Sequence, residues 1–185
     1  ALRDGGVGWL CGNKLRVHDG GIRGGWMPTR IEDLGLGESS GGVDLGRVAT
    51  ARRFAQRCQY EQAHSEHVAS LALMLYDELA RAGMIDNETV DPHERELLES
   101  AAVLHDIGYL INYAKHHKHS YHLIVHSDMP AFTQRELEIV ANVARYHRRS
   151  GPKKKHPNYA KLRGEDQKII KRLSGVLRVA DGLDR

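Results

Sequence analysis

The sequence has little of what would tie it to an oxidising compartment or a bilayer. It carries two cysteines in 185 residues, Cys11 and Cys58, far apart and outside any CxxC spacing. That excludes a disulfide framework and a cysteine-based zinc site. No run approaches the ~20 uninterrupted apolar residues of a membrane span. The first residues, with Arg3 and Asp4 followed by glycines, do not read as a charged region leading into an apolar one, so no secretory signal is expected and the expected location is the cytoplasm. Aromatic residues make up only 6%, prolines number five, and the formal charge is +3.

What is present begins with hydrophobic residues at 41% and charged residues at 28%, the balance of a globular chain long enough for one core. Glycine is unevenly spread: 13 of 19 lie in residues 1–46, in strings such as Gly20-Gly21-Ile22-Arg23-Gly24-Gly25. Such density opposes regular helix, and segment 1–46 reads as irregular or short β structure, or as a flexible arm. The string lacks a Walker lysine and a following helical stripe, so it is not read as a nucleotide loop.

From Arg47 the apolar spacing turns helical, and 47–185 is expected to be an all-α domain. Helices are predicted over 47–58, over 64–82 on the stripe Val68, Leu71, Leu75, Leu79, and from the Asp91-Pro92 start through Leu97, Leu98, Ala101 and Leu104 to a stop at Gly108. Others should cover 117–126, the run opened by the capping-box spacing Thr133 to Glu136 and stopped by Gly151-Pro152, and 165–184 on Ile170, Leu173, Leu177 and Ala180.

The twelve histidines are the first unusual number. His64 extends the Val68 stripe backwards, His105 follows Leu98 and Ala101, and Asp181 follows Leu177, so each should face the core. A core-facing carboxylate is costly unless paired or bound to a cation. His64, His105, Asp106 and Asp181 are therefore the candidate ligands of one divalent ion, for which Mn²⁺, Zn²⁺, Fe²⁺, Ni²⁺ and Mg²⁺ all remain open. His67, one i+3 step from His64, competes with it. His116, His122 and His126 are expected to be exposed or locally hydrogen-bonded.

The order His64, His105-Asp106, Asp181, with Ala102-Val103-Leu104-His105-Asp106-Ile107-Gly108 and Val179-Ala180-Asp181, resembles the HD-domain superfamily of metal-dependent phosphohydrolases. The phrases His117-Lys118-His119-Ser120-Tyr121, Asn142 to Arg149, and Leu177 to Arg185 resemble the C-terminal helical module of the exopolyphosphatase and guanosine pentaphosphate phosphatase family. The resemblance implies an HD-type helical bundle over 47–185. It also implies that Ala1-Leu2-Arg3-Asp4-Gly5 is the tail of an actin-like phosphatase domain that is otherwise missing, so that the chain is a fragment; residues 6–46 depart from the family. It brings His105, Asp106, His119 and His147 forward as catalytic candidates, the latter two as substrate contacts, second-metal ligands or acids.

His117, Lys118, Arg145, Arg148 and Arg149 are the candidate phosphate contacts, since guanidinium groups suit phosphate oxygens. Lys153, Lys154 and Lys155 extend the charge without the aromatic interleaving of a nucleic-acid platform, and nucleic acid is the weakest partner. A solvated basic loop remains open. Two functions compete: a metal-dependent phosphohydrolase acting on polyphosphate or a guanosine polyphosphate, and a non-catalytic module that binds such a polyanion or forms a homodimer.

Overall fold

A computed structural model describes residues 46–85 and 91–184. The segment 1–45, with Cys11, the glycine strings and the actin-like tail inferred from Ala1 to Gly5, lies outside the described residues. The described chain is all α: α1 (Arg47–Arg57), α2 (Gln62–Arg81), α3 (Pro92–Leu104), a 3-10 turn (Ile107–Leu110), α4 (His116–Val125), α5 (Gln134–Arg145), the single-turn α6 (Pro157–Ala160) and α7 (Gly164–Leu183), with no strand among these residues. None of its helices is long and apolar enough to cross a membrane.

Helix α3 is the axle of the bundle. Leu97, Leu98 and the run from Ser100 to Leu104 are all buried, because α1, α2, α5 and α7 pack around it. The charged residues of α3 all precede Ser100, while the enclosed end, Ser100 to Leu104, carries no charge on any side. Burying one leucine there contributes about 1.5–3 kcal/mol relative to leaving it in water. The Asp91 carboxylate caps α3 by accepting from His93 N at 2.9 Å, and Pro92 occupies the first turn. At α5 the capping box is complete: Glu136 N donates to Thr133 Oγ1 and Thr133 N donates to Glu136 Oε2.

Three expectations are corrected. On α2 the buried line is Val68, Ala69, Ala72, Tyr76 and Ala80, while Leu71, Leu75 and Leu79 are only half-buried; the small residues face α3, and the leucines flank that contact. Helix α5 ends at Arg145, six residues before Gly151-Pro152, so His147 sits in the turn after the helix. Helix α3 ends at Leu104, ahead of Gly108, and Gly108 serves a different purpose. A Cβ at Gly108 would collide with the His116 carbonyl and stand 2.6 Å from Ser120 N, so only glycine lets the start of α4 pack onto the end of α3. Ser120 straps the two together: Gly108 N donates to its Oγ at 2.9 Å, and that hydroxyl donates to His105 O at 2.7 Å.

Candidate functional site

The end of α3, the first turn of α4, the turn after α5, the start of α2 and the last turn of α7 meet at one place. His64, His105, Asp106 and Asp181 come together there, joined by His116 and His147. His105 is fully buried, Asp181, His116 and His147 nearly so, and Asp106 and His64 partly.

Hydrogen bonds on the far side of each ring decide what the site presents. Nδ1–H of His105 donates to Ala102 O at 2.6 Å, that of His147 to Ala144 O at 2.6 Å and that of His116 to Tyr113 O at 3.0 Å. His64 uses its Nδ1 on the Asp184 carboxylate. A carbonyl only accepts, so these bonds hold the proton on Nδ1 and turn Nε2 inward. All four Nε2 atoms surround Asp106. His105 and His64 lie 3.4 and 3.7 Å from Oδ2, while His116 and His147 lie 3.2 and 3.5 Å from Oδ1. Asp181 Oδ1 adds to the His64 and His105 side at 3.7 and 4.0 Å. Asp106 Oδ1 and His116 Nε2 are buried without a hydrogen-bond partner.

The electrostatics express this crowding. Burial by itself would raise the Asp106 carboxyl, but the His105 hydrogen bond and the charges of His105, His147 and His116 hold it well below the usual carboxylate range. His105 goes the other way: burial disfavours its charge, and Asp106 more than compensates, so its pKa rises. His147 is pushed down to about 3, first by burial and then by His105, and is neutral at physiological pH. One proton shared by His105 and Asp106 settles one contact and leaves the others acceptor against acceptor.

The candidate phosphate contacts His117, Lys118, Arg145, Arg148 and Arg149 line one cavity of about 300 Å³, with Lys115, Tyr146, Ser150 and His156 completing the wall. Five of these side chains are full cations and none is a carboxylate. Burial and the neighbouring charges of His116 and Arg145 push His117 down to about 4. Lys115 and Arg149 both adopt φ +63°, two of the three described non-glycine residues in the left-handed region. Such backbone is costly and clusters at functional sites. Cavity and histidine cluster share two backbone segments: His116 and His147 face the cluster, while the next residues, His117 and Arg148, face the cavity.

Other expected residues lie elsewhere. His119 is half-buried on α4 and joins neither group, and Lys153, Lys154 and Lys155 are exposed outside the cavity wall. His122 and His126 are exposed as expected. His116 was expected to be exposed or locally bonded; its Nδ1 is locally bonded, but the ring is buried in the cluster. His67 is exposed and shares Asp184 with His64 without reaching the cluster. Asp184 orients His64 and is the functional residue that no apolar stripe marks. Its signal was three-residue spacing from Asp181 on the last turn of one helix.

Known proteins resemble this chain over much of its length. A guanosine-5'-triphosphate,3'-diphosphate pyrophosphatase of Pseudoalteromonas translucida is 32% identical over 135 residues, covering 73% of this chain and 25% of that protein. A protein of the same name from Vibrio parahaemolyticus is 32% identical over 134 residues, covering 72% and 25%. The one from Pseudoalteromonas atlantica is 25% identical over 167 residues, covering 90% and 30%. The chain thus spans about a quarter of the length of the curated relatives it matches. The model of the Ppx/GppA phosphatase family, domain III, matches residues 47–185, which takes in every helix of the described residues and both groups of site residues, and the chain belongs to that family.

Proposed function

We propose that the helical domain is an HD-type phosphohydrolase that cleaves a phosphoanhydride or phosphoester bond of a guanosine polyphosphate or polyphosphate, with a divalent cation held by His64, His105, Asp106 and Asp181. The observation that carries this reading is the set of four inward Nε2 atoms around a buried carboxylate, with Asp106 Oδ1 and His116 Nε2 lacking any donor. A divalent ion satisfies such opposed lone pairs together, and the mixed nitrogen and oxygen donors fit Mn²⁺, Fe²⁺, Zn²⁺ or Ni²⁺ at least as well as Mg²⁺. When bound, the ion would supply an activated water and offset phosphate charge.

The residues divide the remaining work. Asp106 turns Oδ2 toward His64 and His105 and Oδ1 toward His116 and His147, and a second ion would find His147, with His105 and Asp106, spaced as ligands. His147, neutral and with Nε2 free of a proton, suits that role better than the role of an acid. Arg148, Arg145, Arg149 and Lys118 would hold the phosphates next to the cluster. The guanosine ligand is carried over from the relatives, which are guanosine-5'-triphosphate,3'-diphosphate pyrophosphatases by name.

A second reading, a binding or dimerisation module without activity, is favoured by the basic cavity, which holds an anion without any metal. One experiment separates the two. Protein purified without chelator is assayed for bound metal and for phosphate release from guanosine pentaphosphate and from tripolyphosphate, beside His105→Ala and Asp106→Asn. Metal near one equivalent or more, with release lost in both variants and in chelator, supports hydrolysis. Binding without metal or release leaves the module.

A further inference from the structure

We propose that the exposed tyrosines Tyr109 and Tyr113 form a platform on which the base of a nucleotide stacks while its phosphates enter the basic cavity, so that the site takes nucleoside polyphosphates in preference to linear polyphosphate. The inference deepens the functional reading above and rests on its phosphate cavity.

The observation is a ladder of rings that runs from the buried cluster to the surface. His147 and His116 stack with centroids 5.6 Å apart and planes 23° from parallel. His116 and Tyr109 follow at 4.2 Å and 35°, then Tyr109 and Tyr113 at 5.4 Å and 24°. The last ring is 71% exposed, and its neighbours Leu110 and Ile111 are also exposed. The step from His116 to Tyr109 is tilted, but the outermost pair, Tyr109 and Tyr113, is stacked and ends on an open face that one more flat ring can cover. Neither tyrosine hydroxyl has a hydrogen-bond partner among the described residues, so the stacked rings themselves make the platform.

The chain holds this platform beside the cavity. Ala114 N donates to Asn112 Oδ1 at 2.8 Å, Tyr113 O accepts from His116, and Lys115 in its left-handed conformation turns the chain into α4. Lys115, His117 and Lys118, which line the cavity, therefore follow Tyr113 within five residues. Exposed apolar rings next to five cations match a ligand with a flat aromatic end and an anionic end. A linear polyphosphate has only the second. A second copy of this chain would instead have to bring carboxylates to those cations together with its apolar face.

The test compares guanosine triphosphate with inorganic tripolyphosphate by calorimetric titration of the whole chain, with chelator present so that neither ligand is consumed. Tyr113→Ala should weaken guanosine triphosphate about tenfold and tripolyphosphate by less than about twofold, with Tyr113→Phe behaving as wild type. Equal losses for both ligands, or no loss for either, would overturn the platform while leaving the cavity. If neither ligand binds the unaltered chain, cavity and platform fall together. If Tyr113→Ala converts a dimer to a monomer in sedimentation and leaves nucleotide affinity unchanged, the tyrosines cover a second copy and the inference is wrong.

Discussion

Carboxylates on the α1–α2–α3 face meet guanidinium groups, whereas the carboxylate at the end of α3 meets imidazoles. Arg52 binds both Glu66 and Glu99 at 2.9 Å, Arg47 bridges Glu96 and Glu136 at 2.9 Å, and Arg172 reaches across to Glu94. In each pair an N–H donor faces an oxygen. Around Asp106, among the described residues, four imidazoles lie within ion-pair reach and no guanidinium or ammonium does. Their Nδ1 protons are already engaged, so apart from the one proton shared by His105 and Asp106 the inward atoms are acceptors. The first arrangement is complete as it stands and stabilises the fold. The second is stable only with something positive in its centre, and that difference separates a structural ion pair from a site.

The comparison breaks first where a structural partner is removed. Glu94 is buried and accepts from Arg172 and Tyr76, so truncation removes both bonds at once. Glu94→Ala should cost about 3–5 kcal/mol in urea unfolding. Metal-free Asp106→Asn should stay within about 1 kcal/mol of wild type, because the amide keeps the side chain's shape and donates to an imidazole nitrogen where the carboxylate only accepted. Equal losses at both positions would mean that Asp106 is another structural carboxylate.

Next comes the metal itself. At a concentration of Mn²⁺ or Zn²⁺ a hundredfold above its dissociation constant, the wild-type chain should gain about 2.7 kcal/mol, and Asp106→Asn and His105→Ala should gain nothing. Thermal melts with and without ion read this directly. A gain that survives in either variant places the ion elsewhere.

A smaller effect sharpens the role of Asp184, which touches no other member of the cluster than His64. Its carboxylate fixes His64 with Nε2 inward, the carboxylate–histidine pairing that orients metal ligands. Asp184→Asn should weaken metal binding about 10–100-fold and leave metal-free stability nearly unchanged. His67→Ala, which removes only the exposed ring on the same carboxylate, should leave metal affinity close to wild type.

These outcomes also mark how far the sequence could be read. The capping box at Thr133 and the Asp91-Pro92 start were legible because each signal is local and sits within a few residues. His64, His105 and Asp181 were legible because they interrupt apolar stripes. His116 was not, since His116-His117-Lys118-His119 offers imidazoles in succession and only the Lys115 turn and the Gly108 contact settle which ring faces inward. The Leu71, Leu75, Leu79 stripe misled for a related reason: periodicity weighs side-chain size, while α3 approaches α2 on its alanines. The tyrosine platform left no periodic trace, because it lies on a 3-10 turn and the loop after it.

The smallest expected effect is the acid response of the structural face. Glu66 is held below the ordinary glutamate range by its hydrogen bond to Arg52, against the opposing effect of burial, with Tyr60 adding a further bond. A folded-state pKa below the unfolded one means that the unfolded chain takes up the proton first as pH falls. The pair's contribution is therefore fully present above about pH 4.5 and disappears as pH drops through the lower folded value. Arg52 is partly exposed, so screening limits the contribution to about 1 kcal/mol or less. Glu66→Gln should lose that amount at neutral pH and show a flatter fall in stability below about pH 4.5 than wild type. Added salt should narrow the gap between the two proteins at neutral pH, since the pair lies near the surface. If urea unfolding shows parallel pH curves for Glu66→Gln and wild type, the Arg52–Glu66 pair adds nothing to acid resistance, and the contrast with Asp106 would rest on the remaining guanidinium pairs.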